Sequence, residues 1–234
     1  MKIAVIAASG KAGRLIANEA YLREHEVTAI IRSPNPEFND KYGIIVKDLF
    51  DLEEADLEDF DIVVNAFNSP MGEEHLHKTA MRRLIGIMEN LPDIRFFVVG
   101  GAASLYTDAS MTKMVITMIP PQFAALPQSM LEAFGELKTS KVNWTFMSPA
   151  YTFDANGPRT GRYTLGTDFL INNRAGQSYI SYADFAVALV DEIERGDFIC
   201  KRFTAVSDTG PEQGVDELPF RRVAKDGESV GDND

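Results

Sequence analysis

Three small residues near the amino terminus, Ala7, Gly10 and Gly13, have a spacing that lets backbone approach a phosphate closely. The preceding run, residues 2–7, is apolar and rich in β-branched side chains, which predicts a strand buried on both faces. Apolar residues then recur at helical spacing over residues 14–22. A helix that begins at such a turn directs free N–H groups and the positive end of its dipole at the space above the turn. The pyrophosphate of a dinucleotide is the ligand that suits this arrangement.

The usual fingerprint of a dinucleotide-binding turn begins with glycine, and this chain has Ala7 at that position. The alternative is an α/β protein whose tight turn merely requires glycine. Small or polar residues also follow three later predicted strands, which favours nucleotide binding. The predicted cofactor-binding residues are Ala7, Ser9, Gly10, Lys11, Ala12, Gly13, Arg32, Ser33, Asp48, Leu49, Ala66, Phe67, Asn68, Gly100, Pro149 and Ala150.

The end of the second predicted strand indicates which dinucleotide binds. NAD sites usually place an acid there to bind the ribose 2′-hydroxyl, whereas this chain has Arg32 followed by Ser33. A guanidinium matches a 2′-phosphate, so the sequence predicts NADP(H) as cofactor. The alternative is a surface arginine at the start of a loop. Asp48, at the end of the third predicted strand, either accepts a hydrogen bond from the adenine amino group or is an ordinary strand-end acid.

Two hydroxyl-bearing residues are the candidates for catalysis. Ser104 follows a predicted strand next to the expected nicotinamide position, where it could bind the acceptor or the carboxamide. Tyr151 and Phe153 follow a later strand and could stack on a planar substrate. The alternative for all three is ordinary loop packing.

Predicted strands alternate with predicted helices, which indicates the α/β class with a doubly wound parallel sheet, a Rossmann fold, in a single domain. Strands are expected near residues 2–7, 26–31, 44–46, 61–65, 95–99, 142–147, 177–180 and 203–206, and helices near 11–22, 72–90, 122–140 and 182–195. A mobile, methionine-rich insertion with a short helix is expected over residues 106–121, and a short hairpin over residues 153–166.

The dinucleotide-binding domain is predicted to span residues 1–211, with substrate loops at about 105–121 and 151–180. Residues 212–234 carry seven acids against three bases and few large apolar side chains. Such a segment buries too little apolar surface to offset the entropy of ordering it, so we expect a poorly ordered acidic tail.

Composition argues against several classes of function. The formal net charge of −12 opposes binding to nucleic acid or to an anionic membrane. No apolar run approaches the roughly 20 residues of a membrane span, and the chain opens directly on a predicted strand, so no signal peptide is expected. The single cysteine, Cys200, fits a reducing cytoplasm. His75 and His77 lie two positions apart on a predicted helix and do not face each other, so no metal site is predicted.

The chain carries the motifs AASGKAG at 7–13, VTAIIR at 27–32, the turn at Asp48, GGAASL at 100–105, SPA at 148–150 and ISYADFA at 180–186. Together these motifs resemble the atypical short-chain dehydrogenases/reductases over about residues 1–206. Within them the chain is most similar to the NAD(P)H-flavin reductase group, kin to biliverdin reductase B and the NmrA-like proteins. The resemblance implies a Rossmann fold, a nucleotide cofactor and a flavin or similar acceptor.

Ordinary short-chain dehydrogenases use a Tyr-x-x-x-Lys pair, but the helix predicted over 122–140 contains Lys138 and no tyrosine. Hydride transfer to a flavin asks mainly for binding and stacking geometry. We therefore predict an NADPH-dependent reductase of flavin or a similar small conjugated acceptor, acting in the cytoplasm as a monomer or homodimer. The alternatives are a non-catalytic NADP(H) sensor of the NmrA-like type and a reductase or isomerase of a small sugar-like or phenolic metabolite.

Overall fold

Strands and helices alternate along most of the chain in the computed structural model, which describes residues 1–38 and 41–208. The strands of these residues are β1 (Lys2–Ile6), β2 (Glu26–Ile31), β3 (Gly43–Val46), β4 (Ile62–Asn65), β5 (Arg95–Val99), β6 (Trp144–Ser148), β7 (Thr152–Asp154), β8 (Tyr163–Gly166), β9 (Tyr179–Ser181) and β10 (Lys201–Ser207). The α-helices of these residues are α1 (Lys11–Leu22), α2 (Leu76–Met88), α3 (Ala125–Thr139) and α4 (Tyr182–Arg195).

The main sheet of the described residues has eight strands in the order β3-β2-β1-β4-β5-β6-β10-β8. All neighbours are parallel except β8, which runs antiparallel along the outer edge of β10. The chain winds outward from β1 to β3, then returns and continues in the other direction through β4. This reversal opens a crevice beyond the carboxyl ends of β1 and β4, where ligands bind in open parallel sheets. The predicted doubly wound α/β fold is confirmed.

The central strand, β1, is buried on both faces, as its unbroken apolar run predicts. Ile3, Ala4, Val5 and Ile6 are each no more than 1 % exposed. Alternate residues of β1 contribute to two cores: one face packs against α1 and α4, and the other packs against α2 and α3. Helices therefore cover both faces of the sheet, and the carboxyl edge is left open.

Several predicted elements differ from those observed. The predicted hairpin over 153–166 is wrong, because β7 pairs in parallel with β9 in a separate two-stranded sheet while β8 pairs with β10. Short strands carry little pattern of their own, and long-range packing decides their partners. The second helix begins at Leu76 rather than at Gly72, whose φ of +87° takes it out of the helical region.

The predicted insertion over 106–121 is fixed to its surroundings by backbone hydrogen bonds. Tyr106 donates its N–H to the carbonyl oxygen of Asp168 at 2.8 Å and accepts from the N–H of Leu170 at 2.8 Å. The short helix expected there is a 3-10 turn at Val115–Met118. The two predicted substrate loops thus touch each other. The predicted acidic tail, residues 212–234, lies outside the described residues.

Two buried carboxylates anchor the segment that follows β7. Asp184, fully buried near the start of α4, accepts hydrogen bonds from the N–H and hydroxyl of Thr160, both at 2.7 Å, and from the N–H of Gly161 at 2.8 Å. Glu19 on α1, only 4 % exposed, accepts two hydrogen bonds from Arg159. Burial alone would raise the pKa of Glu19, yet the hydrogen bonds from Arg159 and Arg23 hold the pKa below its ordinary value. Both carboxylates fix residues 159–161 to the helices that cover one face of the sheet.

We expect Asp184→Ala to lower the free energy of unfolding by about 3 kcal/mol, because the buried hydroxyl of Ser207 and the part-buried donors on Thr160 and Gly161 lose their acceptor. Urea denaturation monitored by circular dichroism measures this change. Asp59→Ala removes an exposed acid and serves as the control, with an expected change within about 0.5 kcal/mol. Equal stability of the two variants would show that Asp184 does not anchor the segment.

Candidate functional site

A cleft of about 690 Å³ lies beyond the carboxyl ends of β1, β2, β3, β4, β5 and β6. It is where the fold rule for open parallel sheets expects a ligand. Most of the residues predicted to bind the cofactor meet there, although they come from six different strand ends. The predicted residues that line the cleft are Ala7, Ser9, Gly10, Lys11, Ala12, Arg32, Asp48, Leu49, Ala66, Phe67, Asn68, Gly100 and Pro149.

The turn between β1 and α1 brings a helix terminus against the cleft. The N–H of Gly10 donates to the carbonyl oxygen of Ala7 at 2.9 Å, and the N–H of Arg14 donates to Gly10 at 2.9 Å. Gly13 is buried in this turn, and a Cβ added there would lie 2.5 Å from the carbonyl oxygen of Ala7. Glycine is therefore required for α1 to sit this close to β1. The cap residue, Gly10, has no side chain with which to satisfy the first N–H groups of the helix, so an anion in the cleft can accept from them.

Ala7 occupies the position where the fingerprint usually has glycine. Its backbone conformation explains why glycine is usual there. Its φ is +58°, in the left-handed region that disfavours residues with a Cβ. Ala7 is partly exposed and lines the cleft. The chain thus retains the backbone geometry of the turn while carrying an extra methyl group at the site.

Cationic side chains line the cleft near the ends of β2 and β3. Arg32 is exposed there and has no hydrogen-bond or ion-pair partner among the described residues. Lys47 was not predicted; it donates to Asp56 at 2.6 Å, and that hydrogen bond raises the pKa of Lys47. Asp48 caps a 3-10 turn by accepting from the N–H of Phe50 at 3.0 Å. One Asp48 oxygen is thus engaged in fixing the local backbone.

An apolar wall forms the opposite end of the cleft. The rings of Phe153 and Tyr182 stack with centroids 3.8 Å apart and an interplanar angle of 30°. Leu126 and Met130 are four residues apart on α3, and both line the same cleft. Gly100 also lines the cleft, and a Cβ added there would lie 2.1 Å from the ring of Phe146. A flat apolar group would therefore find stacking surface at this end.

Two predicted catalytic residues do not line the cleft. Ser104 is 4 % exposed; its hydroxyl donates to the carbonyl oxygen of Gly101 at 3.2 Å and contacts the hydroxyl of Ser148 at 3.3 Å. Tyr151 is half-buried, and its N–H donates to the hydroxyl of Ser178 at 3.1 Å. Their catalytic roles stay predictions, as do the cofactor contacts of three more residues outside the lining, Gly13, Ser33 and Ala150.

The cleft also includes residues that the sequence patterns did not single out. Lys47, Phe50 and Gly101 directly flank predicted site residues, so extending those turns by one position would have found them. Others come from strand ends, helices or loops, where no local pattern indicates which side chain faces a ligand. The lining residues missed are Ile6, Ile30, Lys47, Phe50, Pro70, Glu73, Leu76, Val99, Gly101, Leu126, Met130 and Tyr182.

Metal-ligating side chains are dispersed over the described ranges 1–38 and 41–208. No group of three or more His, Cys, Asp or Glu residues within these ranges could hold a metal ion. In the same ranges, no helix is long and apolar enough to cross a bilayer.

The sheet order, the strand-turn-helix cradle and the cleft define the class of NAD(P)-binding Rossmann-fold proteins. A family model described as NAD(P)H-binding matches residues 7–195. The chain therefore belongs to the NAD(P)H-binding family, an oxidoreductase-like group, and the resemblance to atypical short-chain dehydrogenases/reductases is confirmed.

Named relatives extend this comparison. The uncharacterized protein YwnB of Bacillus subtilis strain 168 is 45 % identical over 211 residues, which cover 89 % of this chain and 99 % of YwnB. A Streptococcus pneumoniae TIGR4 structure named "putative NADH-flavin reductase" is 41 % identical with a TM-score of 0.84, covering 88 % of this chain and 99 % of the other. A Bacteroides thetaiotaomicron structure named "putative epimerase" is 30 % identical with a TM-score of 0.75, covering 90 % of this chain and 99 % of the other.

We expect Ala7→Gly to raise the free energy of unfolding by up to about 1 kcal/mol. The left-handed backbone costs alanine roughly 1–2 kcal/mol, and glycine gives back roughly 0.5–1 kcal/mol through its greater freedom in the unfolded chain. Urea denaturation measures the difference. Ala4→Gly, in the buried core within β1, is the matched control and should destabilise the protein. A loss of stability in both variants would show that position 7 carries no backbone strain.

Proposed function

We propose that the protein is an NADPH-dependent reductase that passes hydride to a flavin or a similar small conjugated acceptor in the cytoplasm. The observation that carries the proposal is one cleft with Arg32, whose guanidinium has no partner among the described residues, near one end and a stacked aromatic pair, Phe153 and Tyr182, at the other. The guanidinium suits a 2′-phosphate, and the aromatic pair suits a planar ring system. The name of the Streptococcus pneumoniae relative supports the same class of acceptor.

The residues present fit a dinucleotide. The close packing of Gly13 on Ala7 leaves the first N–H groups of α1 facing the cleft, where they would donate hydrogen bonds to the pyrophosphate oxygens. Arg32 would bind the 2′-phosphate, and Asp48 would orient the adenine. Bound NADPH supplies the hydride, and a proton from water completes reduction of the acceptor. The chain itself binds both partners and holds them in orientation, which is the main contribution a protein makes to such a transfer.

A second candidate function is a non-catalytic NADP(H) sensor. It is favoured by the position of Ser104, whose hydroxyl is buried against Gly101 and Ser148 instead of lining the cleft. The sequence also lacks the Tyr-x-x-x-Lys pair in the region of α3. A sensor would bind the same nucleotide in the same cleft without turning it over.

The reductase proposal is tested by mixing the protein with NADPH and FMN and following the nicotinamide absorbance. We expect protein-dependent loss of this absorbance that requires FMN.

Phe153→Ala removes half of the aromatic stack and should raise the KM for FMN severalfold while the Kd for NADPH stays within twofold. Tyr21→Ala removes an aromatic ring from outside the cleft and is the control. Tight NADPH binding without turnover would favour the sensor, and absence of binding would overturn both functions.

Arg32→Asp tests the choice of cofactor. We expect the variant to bind NADPH about ten- to a hundredfold more weakly, because it loses a charge-assisted contact to the 2′-phosphate and gains a repelling acid. Affinity for NADH should be unchanged or higher, since an acid can accept from the free 2′-hydroxyl. Calorimetric titration of both nucleotides measures these effects. Arg174→Asp makes the same change of charge at an exposed position outside the cleft and should alter neither affinity more than twofold. Equal binding of NADH and NADPH by the wild type would show that the cofactor is not chosen by Arg32.

A further inference from the structure

One buried histidine lies directly behind the turn that follows β4. His77, on α2, is 8 % exposed, and its Nε2 atom lies 3.2 Å from the backbone nitrogen of Ser69. The same Nε2 atom lies 3.3 Å from the Oδ1 atom of Asn68, which lines the cleft. The ring also packs edge-on against Phe67, with centroids 5.4 Å apart. A single imidazole nitrogen thus meets two groups of the cleft-lining turn.

The contact with Ser69 decides the protonation state of this nitrogen. A backbone N–H can only donate, so the Nε2 atom that receives it must present its lone pair. The ring proton of neutral His77 is then on Nδ1. Burial lowers the pKa of His77 to about 4, so the ring is neutral at neutral pH. His77 is therefore an acceptor toward the turn.

This tautomer constrains the amide of Asn68. Two acceptors, the Nε2 lone pair and a carbonyl oxygen, would repel each other at 3.3 Å. An asparagine amide has a donor side and an acceptor side of nearly equal shape, and the two are distinguished only by the surrounding hydrogen bonds. With its NH₂ group toward His77, the amide shares the Nε2 lone pair with the N–H of Ser69, the repulsion is removed, and the carbonyl oxygen is turned away from the ring.

We propose that His77 is a positioning residue that turns the amide of Asn68, so that the Asn68 carbonyl oxygen accepts a hydrogen bond from a hydroxyl or amino group of the bound nucleotide. The inference rests on the proposed function, because it assumes that NADPH occupies the cleft. It assigns a role in ligand binding to a residue that is itself almost fully buried. It also explains why an imidazole, and not an aliphatic side chain, packs behind Phe67.

The first test is nitrogen NMR of the three histidine rings in the nucleotide-free protein. Two-bond correlations from the ring protons identify which nitrogen carries the proton, and His25→Phe, His75→Phe and His77→Phe assign the signals. We expect His77 to be the Nδ1–H tautomer at neutral pH. An Nε2–H tautomer would overturn the inference. This measurement needs no ligand, so its result is independent of the proposed function.

The second test is a double-mutant cycle on NADPH affinity. His77→Phe keeps an aromatic ring next to Phe67 but removes the acceptor, and Asn68→Ala removes the amide. We expect each to weaken NADPH binding about tenfold and the double variant to be no weaker than either, because His77 acts through Asn68. His77→Gln restores a side-chain acceptor and should recover part of the affinity.

Position 75 provides the matched control. His75 is the exposed N-cap residue of α2. His75→Phe should therefore leave the Kd for NADPH within twofold of the wild type. Additive losses in the double variant, or wild-type affinity in His77→Phe, would overturn the inference while the proposed function stands. A wild-type protein that does not bind NADPH would overturn the proposed function, whatever tautomer the NMR spectra show.

Discussion

The site depends on one close backbone contact. Gly13 of α1 lies so near β1 that an added Cβ would come within 2.5 Å of the Ala7 carbonyl oxygen and 3.0 Å of the Ala8 Cα. This approach lets Ile16 and Ala17, further along the helix, pack completely into the core. It also holds the amino end of the helix at the carboxyl edge of the sheet. Core packing and the anion-binding position thus depend on the same glycine, and a larger side chain there would disturb both.

The same helix also fixes the second half of the cleft. Glu19 lies on the buried side of α1, and the two hydrogen bonds from Arg159 tie the segment after β7 to it. Asp184 holds the neighbouring residues of that segment from α4. A buried carboxylate is costly unless several donors surround it, and here the donors come from a loop that would otherwise have few contacts. The loop is thereby held in place directly after β7, the strand that carries Phe153 at the cleft.

The sequence predicts the parallel sheet and the first turn well because both depend on local pattern. The apolar run of β1 and the glycines of the turn are adjacent in the chain, and their meaning does not depend on distant residues. By contrast, β7 has three residues and finds its partner 27 positions later, in the pairing of Thr152 with Tyr179. Ser104 was a reasonable candidate from its place after β5. Its hydroxyl is buried against Ser148 on the adjacent strand, 44 positions away in the chain, and a contact between such distant residues has no local sequence pattern.

Charge sets the final constraint on this cleft. A chain of net charge −12 repels a phosphorylated nucleotide at long range, but salt screens distant charges beyond about 8 Å at physiological ionic strength. Discrimination between nucleotides therefore falls to cations in contact with the ligand. Lys47 shares its charge with Asp56 at 2.6 Å, and that ion pair has little net charge to offer a phosphate. Arg32 has no partner among the described residues, so its full charge and its five donors remain available. The proposed preference for a 2′-phosphate thus rests on Arg32, while Lys47, held in place by Asp56, lines the cleft beside it.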